Sequence, residues 1–164
     1  MKHLYGTFSS SNLSNIIISE GVTSIESDAF YGSKISSITI PDSLVSIGEN
    51  AFGRCHPEEI HISSLEAWLS ISYGDSEYSH PNFFVESNNK KYFRMFLNDM
   101  ELTNATIPEG VTNIPYYAFR YCSSFEQVSF PSSLEGIGEY AFSDCCNLLS
   151  VSLPENLVHI ESYA

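Results

Sequence analysis

Nothing in this chain is long and apolar enough to cross a bilayer, since no window approaches the roughly 18 apolar residues that a spanning helix needs. The amino terminus also lacks the apolar core of an export signal, because the polar run FSSSNLSN stands in its place. Basic residues are scarce. With 7 Lys and Arg against 20 Asp and Glu the formal charge is −13, a surface that repels phosphate backbones and anionic lipid. Nucleic-acid binding and membrane insertion are therefore not expected, and the plainest use of the charge is solubility. Phosphate-cradling glycine loops, GxSxG elbows and HExxH helices are missing as well. No positioned acid, base or nucleophile emerges, so no catalytic residue, cofactor or metal site is expected.

Cysteine is limited to four residues, and three of them share one position of a repeat. Ile107, Val111, Ile114, Ala118, Phe119 and Cys122 recur at the same spacing as Phe130, Leu134, Ile137, Ala141, Phe142 and Cys145. A further copy brings Leu153, Leu157, Ile160 and Ala164. Earlier copies are Ile40, Leu44, Ile47, Ala51, Phe52, Cys55 and, before them, Ile18, Val22, Ile25, Ala29, Phe30, Ser33. The period is roughly 22–23 residues throughout, a length that signals stacked supersecondary units. Ser33 stands where Cys55, Cys122 and Cys145 stand, so the position reads as a small buried filler. A disulfide between stacked Cys122 and Cys145, or one using Cys146, is the alternative, and it leaves the redox compartment open.

Within each unit, Ile38-Thr39-Ile40, Val128-Ser129-Phe130 and Val151-Ser152-Leu153 alternate with period two, the mark of a strand with one buried face. Pro41, Pro108, Pro131 and Pro154 follow and end the strand. A turn, a second short extended piece and the Ala-Phe pair complete the circuit. A unit of this length is too short for two strands and a full helix, so each is one coil of a mainly β solenoid with parallel, stacked strands. Phe30, Phe52, Phe119 and Phe142 are expected to be buried in equivalent places.

Residues 63–101 interrupt the repeat frame. Ser63-Ser64-Leu65-Glu66 reads as a capping box with Ser63 as N-cap, opening a short helix through Ala67, Trp68 and Leu69. FRMFL-ND-MEL reads as a hairpin turning on Asn98-Asp99. The whole chain, 1–164, is expected to be one repeat domain, with repeats in 1–62 and 102–164 and the insert as a decoration. Both ends fall inside a repeat, which suggests a piece of a longer array whose exposed coil ends favour end-to-end self-association.

The outward strand positions form a ladder of Ile17, Thr39, His61, Thr106, Ser129 and Ser152, flanked by Asn15, Ser37, Glu59, Asn104, Gln127 and Ser150. It reads as neutral and free of charge clusters, suited to hydrogen bonding with a protein or glycan and equally to plain solvation. His61 with Glu59 is its one His and carboxylate pair, too few ligands for a metal with Thr39 and Thr106 as expected neighbours. Aromatic residues crowd the insert. Most are expected to seal it against the coils, while Tyr73, Tyr78, Phe83 and Phe84, in a loop, are candidate partner anchors. Asn12-Leu13-Ser14 and Asn104-Ala105-Thr106 match a glycosylation acceptor pattern that reads as coincidental.

ITIPDSLVSIGENAFGRC, TIPEGVTNIPYYAFRYCSSF and SFPSSLEGIGEYAFSDCCNL together resemble the BspA-like leucine-rich repeat family, the Treponema pallidum type of that repeat. The likeness covers residues 16–62 and 102–164. SLEAWLSISYGD with the following hairpin also resembles an insertion found in bacterial members. The resemblance implies an arc-shaped solenoid with the first strand concave, no catalytic residues, and a place in a cell-surface or secreted protein. It also implies adhesion to host or extracellular-matrix proteins and cell aggregation. A structural spacer and a glycan-binding surface are the alternatives.

Overall fold

The computed structural model describes residues 7–73 and 92–164, and within them each repeat is one coil whose corners stack on the same corners of the next. The first strands of the coils, on the side that the resemblance implies is concave and called so below, are in the first half β1 (Asn15–Ile17), β3 (Ser37–Thr39) and β5 (Glu59–Ile62), paired in parallel. The first two are each followed by a shorter strand, β2 (Ser24–Ile25) and β4 (Ser46–Ile47), which make a second ladder. In the second half the concave strands are β9 (Asn104–Thr106), β11 (Gln127–Ser129) and β13 (Ser150–Ser152). Their second ladder is β10 (Asn113–Ile114), β12 (Gly136–Ile137) and β14 (His159–Ile160).

Period-two alternation places Ile38 and Ile60 in the core with no exposure, and Ala105 and Val128 nearly so. In most coils a tight turn then forms on the proline carbonyl, which accepts from Leu44, Val111, Leu134 or Leu157 three residues on. Proline serves here because its carbonyl is used and its missing N–H is not needed. Serines then tie turn to turn: Ser133 Oγ accepts from Gly110 N–H at 3.0 Å and donates to the Val111 carbonyl at 2.9 Å, and Ser43 does the same to Gly21 and Val22. Gly21 and Gly110 have φ of +92° and +93°, where side chains other than hydrogen are strained.

The Ala-Phe corner is a third ladder. Phe30 N–H donates to the Ala51 carbonyl at 2.8 Å, and Phe119 N–H to that of Ala141 at 2.9 Å. Left-handed residues mark these corners at two positions: the one before Ala (Asp28, Asn50, Tyr117, Tyr140, Tyr163) and the second after Phe (Gly32, Arg54, Tyr121, Asp144). Inside the corner the rings stack, Phe8 on Phe30 at 5.4 Å, Phe30 on Phe52 at 5.1 Å and Phe119 on Phe142 at 5.2 Å. Phe30, Phe52 and Phe119 are buried as expected; Phe142 is only half-buried, because the final coil covers it incompletely.

The cysteine position is more than filler. Ser33 Oγ donates to the Phe8 carbonyl at 2.6 Å, Cys55 Sγ to that of Phe30 at 3.0 Å, and Cys145 Sγ to that of Phe119 at 3.1 Å. Each closes onto the coil before it, which is why Ser and Cys interchange. All four cysteines are free, and burial pushes the Cys55 and Cys122 thiols up to about 11 and that of Cys145 up further.

The interruption adopts the repeat's own positions. Helix α1 (Leu65–Leu69) replaces the proline turn, and β6 (Ser72–Tyr73) then pairs with β4 in the second ladder. The N-cap is Ser64 and not Ser63: Ser64 Oγ accepts from Ala67 N–H at 3.1 Å, while Ser63 Oγ is drawn to Asp42 of the preceding turn at 2.8 Å. α1 buries Leu65, Trp68 and Leu69, and the Trp68 indole N–H donates to the Ala118 carbonyl at 3.1 Å, tying the two halves together. The hairpin forms as expected from β7 (Arg94–Leu97) and β8 (Met100–Glu101), with Asn98 and Asp99 left-handed. It is not mere decoration, because β7 pairs in parallel with β5 and adds a rung to the concave sheet. β8 runs antiparallel and closes that sheet, so the concave surface consists of two sheets. Phe93 bridges to Cys122 across the join.

Candidate functional site

The strand registers set side chains in rows across the concave face. In the first sheet one row is Asn15, Ser37, Glu59 and Arg94, the other Ile17, Thr39, His61 and Phe96. In the second sheet the rows are Asn104, Gln127, Ser150 and Thr106, Ser129, Ser152. All six residues of the second sheet's rows are exposed, an uncharged surface of hydroxyls and amides. The expected ladder is therefore present, but His61 neighbours Thr39 and Phe96, not Thr106, because the hairpin intervenes.

This intervention also overturns the expectation of a face without charge clusters. Arg94 Nη2 is hydrogen-bonded to Glu59 Oε1, and Arg94 Nη1 lies 3.6 Å from Glu101 Oε2. His61 stacks on Phe96 with centroids 4.7 Å apart, and the Arg94 guanidinium carbon stands 5.2 Å from the Phe96 ring centre. Glu59 Oε2 is 3.5 Å from His61 Nε2, and Asp99 Oδ1 is 3.8 Å from His61 Nδ1. Two planar groups are thus clamped on one ring by carboxylates, which holds long side chains in one arrangement and lowers the ordering cost of a contact. Among the described residues no group of three or more His, Cys, Asp or Glu is placed to hold a metal ion.

Arg94 and Phe96 escaped sequence reasoning, although the signal was available. Arg94-Met95-Phe96-Leu97 alternates as Glu59-His61 does around Ile60, with Met95 fully buried, and would have aligned with the concave strands had the segment been placed in the repeat frame. Tyr73 is not in a loop. It lies in β6, half-buried against the core, and burial raises its phenol pKa. Tyr78, Phe83 and Phe84 lie outside the described residues.

A shallow cavity of about 230 Å³ opens between α1 with its C-cap (Glu66, Leu69 and Ser70) and the turn Gly110–Asn113. It brings no cluster of charged groups together beyond the single carboxylate of Glu66, so the concave rows remain the better organised surface. Among the described residues no helix is long and apolar enough to cross a membrane.

Comparison with known proteins agrees with this architecture. The chain resembles a leucine-rich repeat protein from Bacteroides ovatus ATCC 8483, with 31% identity over 92% of this chain and 34% of that one and a TM-score of 0.50. It also resembles a leucine rich cell surface protein from Faecalibacterium prausnitzii A2-165, with 29% identity over 88% of this chain and 42% of that one and a TM-score of 0.47. A leucine-rich repeat protein of T. pallidum is 19% identical over 86% of this chain and 70% of that one, with a TM-score of 0.42. The chain thus spans less than half the length of the first two. No curated protein matches it. The model of the BspA type leucine-rich repeat region matches residues 5–78 and 89–164 in six copies, and with that extent and the coil geometry above, the chain belongs to the BspA-type leucine-rich repeat family.

Proposed function

We propose that this chain is a non-catalytic binding module of a surface or secreted protein, a single repeat domain over 1–164 whose concave rows engage a protein partner. The observation that carries this reading is the patch of Glu59, His61, Arg94 and Phe96, where charge and aromatic surface converge at the end of an otherwise neutral sheet. Arginine and aromatic side chains held rigidly are the residues that dominate interface energetics. Thr39 lies on the same face, and Asn104, Thr106, Gln127, Ser129, Ser150 and Ser152 extend it as a hydrogen-bonding rim. A preformed solenoid face presents these groups with little ordering cost, so affinity comes from shape and pairing and requires no chemistry. The family's association with adhesion points to host or extracellular-matrix proteins as the partner class.

The test is adhesion of protein-coated beads to wells coated with extracellular-matrix protein. Substitution of Arg94→Ala with Phe96→Ala is expected to weaken adhesion by about tenfold or more. Thr106→Lys with Ser129→Lys is expected to weaken it less, because these residues form the rim. Adhesion untouched by either pair would replace this reading with that of a spacer array.

A further inference from the structure

Arg120 occupies an unusual place on the Ala-Phe corners of the second half. Its guanidinium carbon lies 4.7 Å from the ring centre of Tyr121, 4.8 Å from Tyr140 and 5.2 Å from Tyr117. Tyr117 stacks on Tyr140 at 4.9 Å, Tyr140 on Tyr163 at 4.8 Å, and Tyr92 meets Tyr121 edge-on at 6.1 Å. Among the described residues Arg120 has no carboxylate at ion-pair distance and no side-chain hydrogen bond, and its Nε is buried without a partner; the acid nearby is Glu139, which acts on the neighbouring Tyr117 phenol. Arg94, by contrast, is met by two glutamates. In a chain with 20 acidic and 7 basic residues, an arginine left without an acid and fixed by three rings is a prepared anion receptor. Nor does the fold require these tyrosines. The same left-handed positions are filled by Asp28, Asn50, Gly32 and Arg54 in the first half, the first three of which adopt φ near +60° more readily than tyrosine does.

We propose that Arg120 and its tyrosines bind a sugar that carries one carboxylate. A guanidinium edge matches a carboxylate with two parallel hydrogen bonds. The rings beside it, with Tyr92 at 40% exposure set edge-on to Tyr121, offer flat apolar faces for sugar C–H groups. A single acid is selected over a polyanion because a net charge of −13 repels nucleic acid and highly sulfated chains at range. An acidic peptide would supply the carboxylate without the ring-shaped apolar face.

Titration of the protein with 3′-sialyllactose, lactose and a glutamate-containing peptide, followed by NMR of the arginine Nε–H signals, tests the site. The Arg120 Nε–H signal is expected to move with 3′-sialyllactose, and lactose is expected to bind at least about tenfold more weakly, the loss of a charge-assisted pair. Arg120→Gln is expected to abolish the preference for the acidic sugar and Arg120→Lys to reduce it, while Thr106→Lys with Ser129→Lys leaves it intact, since those residues belong to the other surface. Equal affinity for lactose and 3′-sialyllactose, tighter binding of the peptide, or no movement of the Nε–H signal up to about 10 mM sugar would each overturn the proposal. The Nε–H signal of the unsubstituted protein decides the matter even if the Arg120 variants fail to fold, and none of these outcomes bears on the concave-face reading.

Discussion

Cys145 and Ser33 have little in common chemically beyond a small size and a hydrogen to donate, and both properties are used. Each donates to the phenylalanine carbonyl of the coil before it. Sequence alone reveals the interchange and hence the small volume; the donated hydrogen bond is invisible there, because the acceptor is a backbone oxygen brought up by stacking. Thiols buried in this way resist ionisation. Since the folded Cys55 thiol keeps its proton to about 11, against an ordinary value of 9.0, its contribution to stability is complete below pH 9.0 and is lost as pH rises through about 11. Urea unfolding is therefore expected to show a fall in stability between about pH 9 and about pH 11, and Cys55→Ser is expected to diminish that fall, since serine keeps the donor and does not titrate. A colorimetric thiol assay at neutral pH should register Cys146, which is exposed, and leave Cys55, Cys122 and Cys145 unreacted until the protein unfolds.

At the scale of elements, the regular coils were legible because periodicity, proline and the Ala-Phe pair all point to one circuit. The insert was legible only as local pieces. A helix and a hairpin could be located, but which strand β7 would pair with depends on contacts over 35 residues of chain, as in Arg94 to Glu59, and no local pattern reports that. The cap shows the same limit at one-residue resolution. The motif favours Ser63, with Glu66 three residues on, and Asp42 overrides it by engaging Ser63 and leaving the cap to Ser64. Ser64→Ala is expected to cost about 1 kcal/mol, the usual loss for an N-cap. Ser63→Ala breaks only an exposed bond between coils and is expected to cost less than about 0.5 kcal/mol. Chemical denaturation of the two variants distinguishes them, and a larger loss for Ser63→Ala would return the cap to that residue.

For the whole molecule, the concave surface is split where β8 closes the first sheet, yet the hydrophobic core runs through without a break. Trp68 accounts for much of that continuity: it is 3% exposed, projects from the element that looked most like an ornament, and hydrogen-bonds to a carbonyl 50 residues later in the other half. The rings on either side mark how burial is distributed along the array, with Phe119 fully buried at the join and Phe142 half-buried one coil on. Phe119→Ala is accordingly expected to cost about 3–5 kcal/mol, the range for a large ring removed from a close-packed core, and Phe142→Ala distinctly less. Because coils are stabilised by their neighbours, the larger loss is expected to act on both halves at once through Trp68 and the Ala118 carbonyl that precedes Phe119. Hydrogen exchange is the measurement that resolves this. In Phe119→Ala, the amides of Ile38 and Ile60 in the first sheet should lose protection together with those of Val128 in the second, whereas loss confined to the second half would mean that the two sheets unfold as separate units.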